Sequence, residues 1–349
     1  MKRILVTIFI IVLISGSMMN LVGQVRYAGS FLELGIGARA MAMGGAFVSI
    51  ADDGSAFYWN PAGASQLIRP ELFGMYASLF KSLEQHHQIG FTRPIHGGVG
   101  VSLNWIRLSV SDIPAYPDPI GTYSERRDEA KDFFSWQDLQ NAGLALSSLP
   151  FGFSNFKNDA FVLTLAKSYK VDLDFGWQYF VFPTEIPIGL NVKLIRQSLF
   201  DQTASGLGFD AGTLFKFGLD DLFDDNRLGK VNLALAVKDM FNTRLTWNTQ
   251  SRSSGNIQRS WHMGLSYFQP IPSINGKLLF AYAWEKQYET FHHFGFEYLY
   301  RDRLAIRFGM DDADFTAGIG LQVLIFNFDY AYKGHELGGS HRISTAIRF

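Results

Sequence analysis

One period dominates this sequence: apolar and polar side chains trade places at every second residue, in segment after segment of residues 68–349. Val99-Gly-Val-Ser-Leu-Asn-Trp105 carries its apolar residues at odd positions and small or polar ones between them. Ile188 to Leu194, Val231 to Lys238, Leu278 to Trp284 and Phe294 to Tyr300 follow the same rule. Phe326-Asn-Phe-Asp-Tyr-Ala-Tyr-Lys333 shows it most cleanly. Successive side chains of a strand point to opposite faces, so each segment reads as a strand with one apolar and one polar face.

Soluble sandwiches and membrane barrels both use that period, and the residue types favour the barrel. The apolar faces end in Trp105, Trp284, Tyr298, Tyr300, Tyr330 and Tyr332, amphipathic rings suited to membrane interfaces. The opposite faces carry Asn104, Lys193, Asn232, Lys238, Glu285, Glu297, Asp329 and Lys333, which suit a hydrated lumen. A sandwich, the alternative, would turn that polar face outward and bury the aromatic rings. Only 18 % of the 349 residues are charged, against about 25 % in ordinary soluble domains. Beyond the first residues no apolar stretch of ~20 residues occurs, so no helix is expected to span a membrane. Near-neutral mean hydropathy does not count against a barrel, because only alternate residues of its strands meet lipid. A net charge of −1 gives no reason to expect nucleic acid, and the lack of cysteine removes disulfide and thiolate chemistry.

Strands are expected near residues 68–80, 85–93, 97–110, 157–169, 186–200, 203–217, 228–240, 257–269, 274–287, 290–300, 302–311, 314–323, 324–334 and 339–349. That makes about 14, an even number as bacterial single-chain barrels require. With both ends on the periplasmic side, the long connections at 111–156 and 241–256 fall outside. The connections at 94–96 and 301 become tight inner turns; 170–185 and 218–227 are long for that role, and Phe133 to Ser148 has room for a further strand or helix. In the last strand Ile343, Thr345, Ile347 and Phe349 share a face, and the terminal aromatic Phe349 resembles the signal read by the barrel-assembly machinery of outer membranes.

The chain starts with cationic Lys2 and Arg3, an apolar run from Ile4 to Ile14, and Ser15-Gly16-Ser17. This has the plan of a secretory signal, with cleavage expected between Gly23 and Gln24; an uncleaved anchor helix is the alternative. The division expected is therefore a signal peptide at 1–23, a separate segment at 24–67 and a barrel at 68–349.

Residues 24–67 break the period. Phe31 to Val48 is rich in Gly and Ala, Asp52-Asp53-Gly54 reads as a turn, and Ala56-Phe-Tyr-Trp-Asn-Pro-Ala-Gly63 follows. Gly37-Ala38-Arg39-Ala40, Met43-Gly44-Gly45-Ala46, Asp52-Asp53 and Asn60-Pro61-Ala62 together resemble the PorV/PorQ family, within the superfamily of the long-chain fatty-acid transporter FadL. The strands Gly189 to Lys193 and Phe328 to Tyr332 extend the resemblance into the barrel. It implies an all-β, transmembrane antiparallel barrel of about 14 strands whose amino-terminal segment folds back into the lumen as a plug. Small residues suit such packing, and Arg39 is placed to pair with Glu297 or Asp329. Arg39, Gly44, Gly45, Asn60, Pro61 and Ala62 are the candidate plug residues, with packing as their simpler role because Pro fixes φ and Asn caps turns. Lys193, Glu297 and Asp329 are the candidate lumenal polar residues.

Other motifs carry little chemistry. Gly35-Ile-Gly37-Ala-Arg-Ala40 has no βαβ context for a dinucleotide. His86-His87 and His292-His293 are strand neighbours pointing to opposite faces, so neither pair can share a metal. The acidic clusters at Asp220-Asp221/Asp224-Asp225 and Asp311-Asp312/Asp314 lack a ligand-spaced glycine loop, and no nucleophile elbow occurs. No catalytic residue, metal or cofactor is expected. Three functions compete. The first is protein secretion or surface attachment of the type IX kind, which the resemblance implies. The second is a FadL-like transporter of hydrophobic small molecules, which a continuous apolar path would favour. The third is an outer-membrane enzyme, which apposed His, Ser and acidic side chains at the outer rim would revive. Secretion by an outer-membrane protein of a Gram-negative-type bacterium is the leading expectation. Its expected partners are outer-membrane lipid, lipopolysaccharide, the barrel-assembly machinery and secreted proteins or secretion-system subunits.

Overall fold

The computed structural model describes residues 28–79, 83–115, 152–174, 181–199, 201–249, 252–334 and 338–349. The signal expected at 1–23 and most of the 111–156 connection, Phe133 to Ser148 included, lie outside the described residues. Among the described residues sixteen strands form: β1 (Glu71–Leu79), β2 (Glu84–Ile95), β3 (Val99–Ala115), β4 (Gly152–Asp174), β5 (Val181–Leu199), β6 (Gln202–Gly218), β7 (Lys230–Lys238), β8 (Thr243–Trp247), β9 (Ser254–Ile257), β10 (Ser260–Ile271), β11 (Gly276–Lys286), β12 (Thr290–Tyr300), β13 (Leu304–Asp311), β14 (Asp314–Val323), β15 (Phe326–Lys333) and β16 (Ser340–Arg348).

Neighbours pair antiparallel; β1 joins β16 and β5 joins β6, so β1–β7 and β10–β16 close a ring of 14 strands. These are the strands anticipated from the alternation. The connection at 241–256 departs from its expected form as a plain loop: it folds into the β8–β9 hairpin, tied to β6 by Ala204 opposite Trp247. Leu245 and Ile257 of that hairpin are buried, which supplies the apolar side a hairpin needs. The long inner connections shorten too, because β4 and β5 run on to Asp174 and from Val181, and Leu219–Phe223 forms a helical turn.

The pleat sorts the faces. Phe326, Phe328, Tyr330 and Tyr332 are exposed on the outside, as are Ile188, Leu190, Val192 and Leu194. On β4 the outward apolar residues run between Asp159 and Lys167. Eight residues at about 3.4 Å, tilted by about 40°, give a band of roughly 20 Å, close to that of outer-membrane barrels. A closed ring leaves no unpaired edge, and its apolar outer wall is that of an outer-membrane protein. Both chain ends of the ring meet at one rim, where Phe349 N donates to Pro70 O at 3.1 Å. The tight turns at 96–98, 301–303 and 324–325 share that rim; the ends of β3 and β4 that flank residues 116–151, and of β7 and β10 that flank 239–259, lie at the other, which therefore faces outward.

The lumen differs from the hydrated channel expected. Over β1–β6 many inward side chains are apolar and buried, among them Phe73, Met75, Leu79, Ile106, Leu108, Val162 and Ile195. Alternation hides this, because the inward positions of these strands mix apolar residues with Ser, Asn and Gly. Residues 28–67 join no strand of the ring. They form short helices at Ala38–Ala42 and Ala56–Trp59 and a 3-10 turn at Pro61–Gln66, and pack on inward-facing residues of β2–β6 and β13–β16.

Candidate functional site

Two contact zones between residues 28–67 and the ring, and a third cluster of ring residues, carry the buried polar groups, and they begin with a turn. Pro61 has no N–H and a preset φ, so it opens the 3-10 turn, while Asn60 Oδ1 caps it by accepting from Ala62 N at 3.1 Å. Asn60 is fully buried, and its Nδ2 donates to Val48 O at 3.2 Å and Thr213 O at 3.1 Å. The wall makes room with glycine. A Cβ on Gly189 would lie 2.3 Å from Ala62 N, and one on Gly212 2.1 Å from Asn60 Oδ1. On the other side Gly44, at φ +65°, leaves no room for a Cβ, which would sit 2.3 Å from Met310 O. Gly45, at φ +78°, lies against the Trp59 ring, and Gly44 O meets His293 Nδ1 at 2.9 Å. The five candidate residues of the segment other than Arg39 thus serve close backbone packing.

Arg39 makes the second zone. Its Nε and Nη2 donate to the two Glu297 oxygens at 2.9 and 3.0 Å, and its Nη1 to Asp52 Oδ1 at 2.5 Å. Glu297 also accepts from Arg307 Nε at 2.5 Å, and Arg307 Nη1 reaches Asp329 at 2.7 Å. Asp53 lies 3.8 Å from Arg39, and buried Glu71 binds Gly54 N and Arg348. Burial disfavours the Arg39 cation, but Asp52 and Glu297 more than offset it and hold the guanidinium above its ordinary pKa. Burial pushes the Asp53 carboxyl up to about 6; Arg39 pulls it down, while Glu71 and Asp52 push it up. This network borders a cavity of about 350 Å³ at the rim that carries the chain ends.

The third zone lies towards the opposite rim. Lys193 Nζ is 2.7 Å from Asp210 and 2.9 Å from Asp239, all three buried. The structure therefore separates the lumenal candidates: Glu297 and Asp329 share Arg307, and Lys193 belongs to another cluster. Nearby, Ser260 Oγ meets His262 Nε2 at 2.9 Å, and His262 Nδ1 lies 3.4 Å from Glu285 Oε2. His293 contacts Asp311 at 2.9 Å, and Asp311 pairs with Lys333. The paired histidines split as strand geometry requires: His86 and His293 are buried inward, whereas His292 stacks on Tyr282 outside. Among the described residues no group of His, Asp and Glu is arranged to hold a metal ion.

No family model matches the chain, and no curated protein matches it. Solved structures do. A mutant of the TodX monoaromatic hydrocarbon channel aligns over 90 % of this chain and 99 % of its own, with 10 % identity and a TM-score of 0.43. A Pseudomonas aeruginosa FadL homologue aligns over 89 % and 97 %, with 12 % identity and a TM-score of 0.41. The Acinetobacter baumannii outer membrane protein Omp33 aligns over 80 % and 98 %, with 8 % identity and a TM-score of 0.37. At these values the likeness carries no argument about what the chain does.

Sequence reasoning missed Arg307, Asp210 and Asp239. Arg307 sits between outward Ile306 and Phe308 on β13, so its inward position was readable from the period; its link to Arg39 through Glu297 needed the register of β12 and β13. The wall glycines read as polar-face spacers until the segment opposite them is in place.

Proposed function

We propose that this protein is a plugged outer-membrane barrel that passes hydrophobic small molecules, with residues 28–67 as the plug, and that it is not an enzyme. One observation carries the reading: the inner wall of β1–β6, besides buried polar groups such as His86, Gln88, Asn104 and Asn191, carries an apolar cluster of Phe73, Met75, Ile106, Val162 and Ile195 that is covered by Phe31, Ile36 and Phe57 of the amino-terminal segment. A water-filled pore has no use for such a wall, whereas an apolar solute replacing those side chains keeps it out of water. The secretion reading gains nothing from Gly44, Gly45, Asn60, Pro61 and Ala62, which are consumed by packing against the ring.

The test is flux. In liposomes the intact protein should admit an apolar aromatic solute while conducting few ions, and removal of residues 28–67 should open an ion pore. A closed barrel that passes no apolar solute but retains surface proteins would return the secretion reading. A second reading, an acyl hydrolase, is favoured by the Ser260–His262–Glu285 arrangement, which has the order of a nucleophile, base and orienting acid. Inward residues two apart on β10, with Glu285 directly opposite His262 on β11, also arise in any polar lumen wall. A fluorophosphonate probe separates the two: labelling of Ser260 would establish the hydrolase.

A further inference from the structure

On the outer wall the apolar band has a gap. Gly74 of β1 faces outward between Ile89 of β2 and Thr345 of β16, and beside it lies a groove of about 480 Å³ walled by Tyr76, Ile89, Trp105 and Ile343. The glycine is not forced by sterics. A Cβ there would meet only Gln88 O, at 3.8 Å, and its φ is not left-handed. A groove at this height is filled by the bilayer, because water in it would face apolar walls.

The upper edge of the groove is charged. Cross-strand pairing sets Tyr76, His87, Arg107, Asp159 and Arg196 in one outward row over β1–β5. Arg107 lies over the Trp105 ring at 4.8 Å and gives Nε and Nη2 to Asp159 at 2.7 and 3.0 Å. Trp105 Nε1 donates to the same carboxylate at 2.8 Å. That leaves Arg107 Nη1 and the exposed Arg196 for a ligand, with exposed Lys157 one outward step above Asp159. Three cations against one carboxylate make this edge positive. It stands on the side of the long connections, hence against the outer leaflet.

We propose that the groove and this row form a built site for one lipid A-type phosphoglycolipid of the outer leaflet. An acyl chain lies along Gly74 between Ile89, Trp105 and Ile343. A phosphate is held by Arg107 and Arg196, the fork geometry of guanidinium matching its oxygens. Asp159 keeps Arg107 extended along the wall, and Trp105 keeps both in place at the interface.

Native mass spectrometry of the full protein in mild detergent, titrated with purified lipid A, tests the site. One lipid A is expected to stay bound to the unaltered protein. Gly74→Trp, whose Cβ would meet Gln88 O only at 3.8 Å and whose ring would occupy the groove, and the pair Arg107→Gln with Arg196→Gln should each weaken retention at least tenfold. Ile319→Trp, on the outer wall of β14, should leave it unchanged. Heat-modifiable migration checks that each variant is a folded barrel, and if the charge variant does not assemble, Gly74→Trp alone decides. Equal retention by Gly74→Trp overturns the proposal. So does equal competition by phosphatidylglycerol, which would make the row a general anion edge, or the absence of any retained lipid.

Discussion

Replacing Arg39 by Met should loosen the amino-terminal segment, and the structure sets the size of the effect. The arm to Asp52 is worth about 0–1 kcal/mol, because the Asp52 side chain is 44 % exposed. The arm to Glu297 is different, with side-chain exposures of 17 % and 6 % and two charge-assisted bonds. Breaking a buried pair costs about 3–5 kcal/mol when the other charge is stranded. Glu297 is not stranded, since Arg307 stays on it at 2.5 Å, so the lower end applies. A total near 3 kcal/mol raises the undocked fraction about 100-fold, at 1.36 kcal/mol per tenfold. The assay is open probability in planar bilayers, paired with maleimide labelling of Ala40→Cys, a fully buried position in a chain without cysteine. The double cycle with Glu297→Gln should give a coupling of at least about 1 kcal/mol. If Arg39→Met leaves conductance and labelling at their original levels in a correctly assembled barrel, the ionic contact does not hold the segment.

Three further outcomes follow from the geometry. Asp53, with its pKa raised to about 6, binds a proton more tightly when docked, so its contribution is full below the ordinary carboxylate pKa and fades as pH rises through about 6; labelling of Ala40→Cys should therefore increase between pH 5 and 7.5. Asp53→Asn should flatten that profile, the ceiling being about 3 kcal/mol for two units, and an unchanged profile would remove Asp53 from the account. Gly44→Ala, pressed on Met310 O at φ +65°, should raise labelling and ion leak, whereas Gly74→Ala, which meets only Gln88 O at 3.8 Å, should change neither. Phe328→Arg should cost about 2–4 kcal/mol of folding free energy in bilayers while Asn327→Arg costs far less; equal denaturant midpoints would mean that the register of β15 is misplaced.

Much of the barrel was legible because its rule is local. Period two marks both where a strand lies and which side chains face lipid, and Phe326 to Lys333 needed nothing more. The β8–β9 hairpin was not legible, since Thr243 to Trp247 and Ser254 to Ile257 are short and their apolar partners lie far off in sequence. The ionic network was half legible. Arg39 and Glu297 stood out as a cation in a small-residue stretch and a carboxylate on a polar face, but the intervening Arg307 depends on neighbouring strands in register. The apolar cluster on the inner wall of β1–β6 escaped notice for a different reason: inward Ile106 and Val162 share their strands' inner faces with Asn104 and Thr164, and Val162 lies between outward Phe161 and Leu163, so the period does not single them out.

The contacts of residues 28–67 with that wall set which part should release first if the segment acts as the proposed plug. Residues 38–66 are tied down by the Arg39 network and by glycine-lined backbone contacts, whose loss would expose buried charge. Residues 29–36, which cover the apolar cluster, are packed through buried Phe31 and Ile36 and carry two hydrogen bonds to one side chain. Tyr58 OH accepts from Gly35 N at 3.1 Å and donates to Leu32 O at 2.6 Å, with Arg342 on Leu34 O and Trp59 on Ile36 O adding one bond each. Tyr58→Phe removes both Tyr58 bonds at about 1 kcal/mol each and leaves the ionic network intact. It should therefore raise the flux of an apolar solute roughly tenfold or more while ion conductance stays low, the reverse of Arg39→Met, which frees the charged side as well. If Tyr58→Phe raises ion conductance and solute flux together, residues 29–36 and 38–66 leave the wall as one body, and the apolar path has no gate of its own.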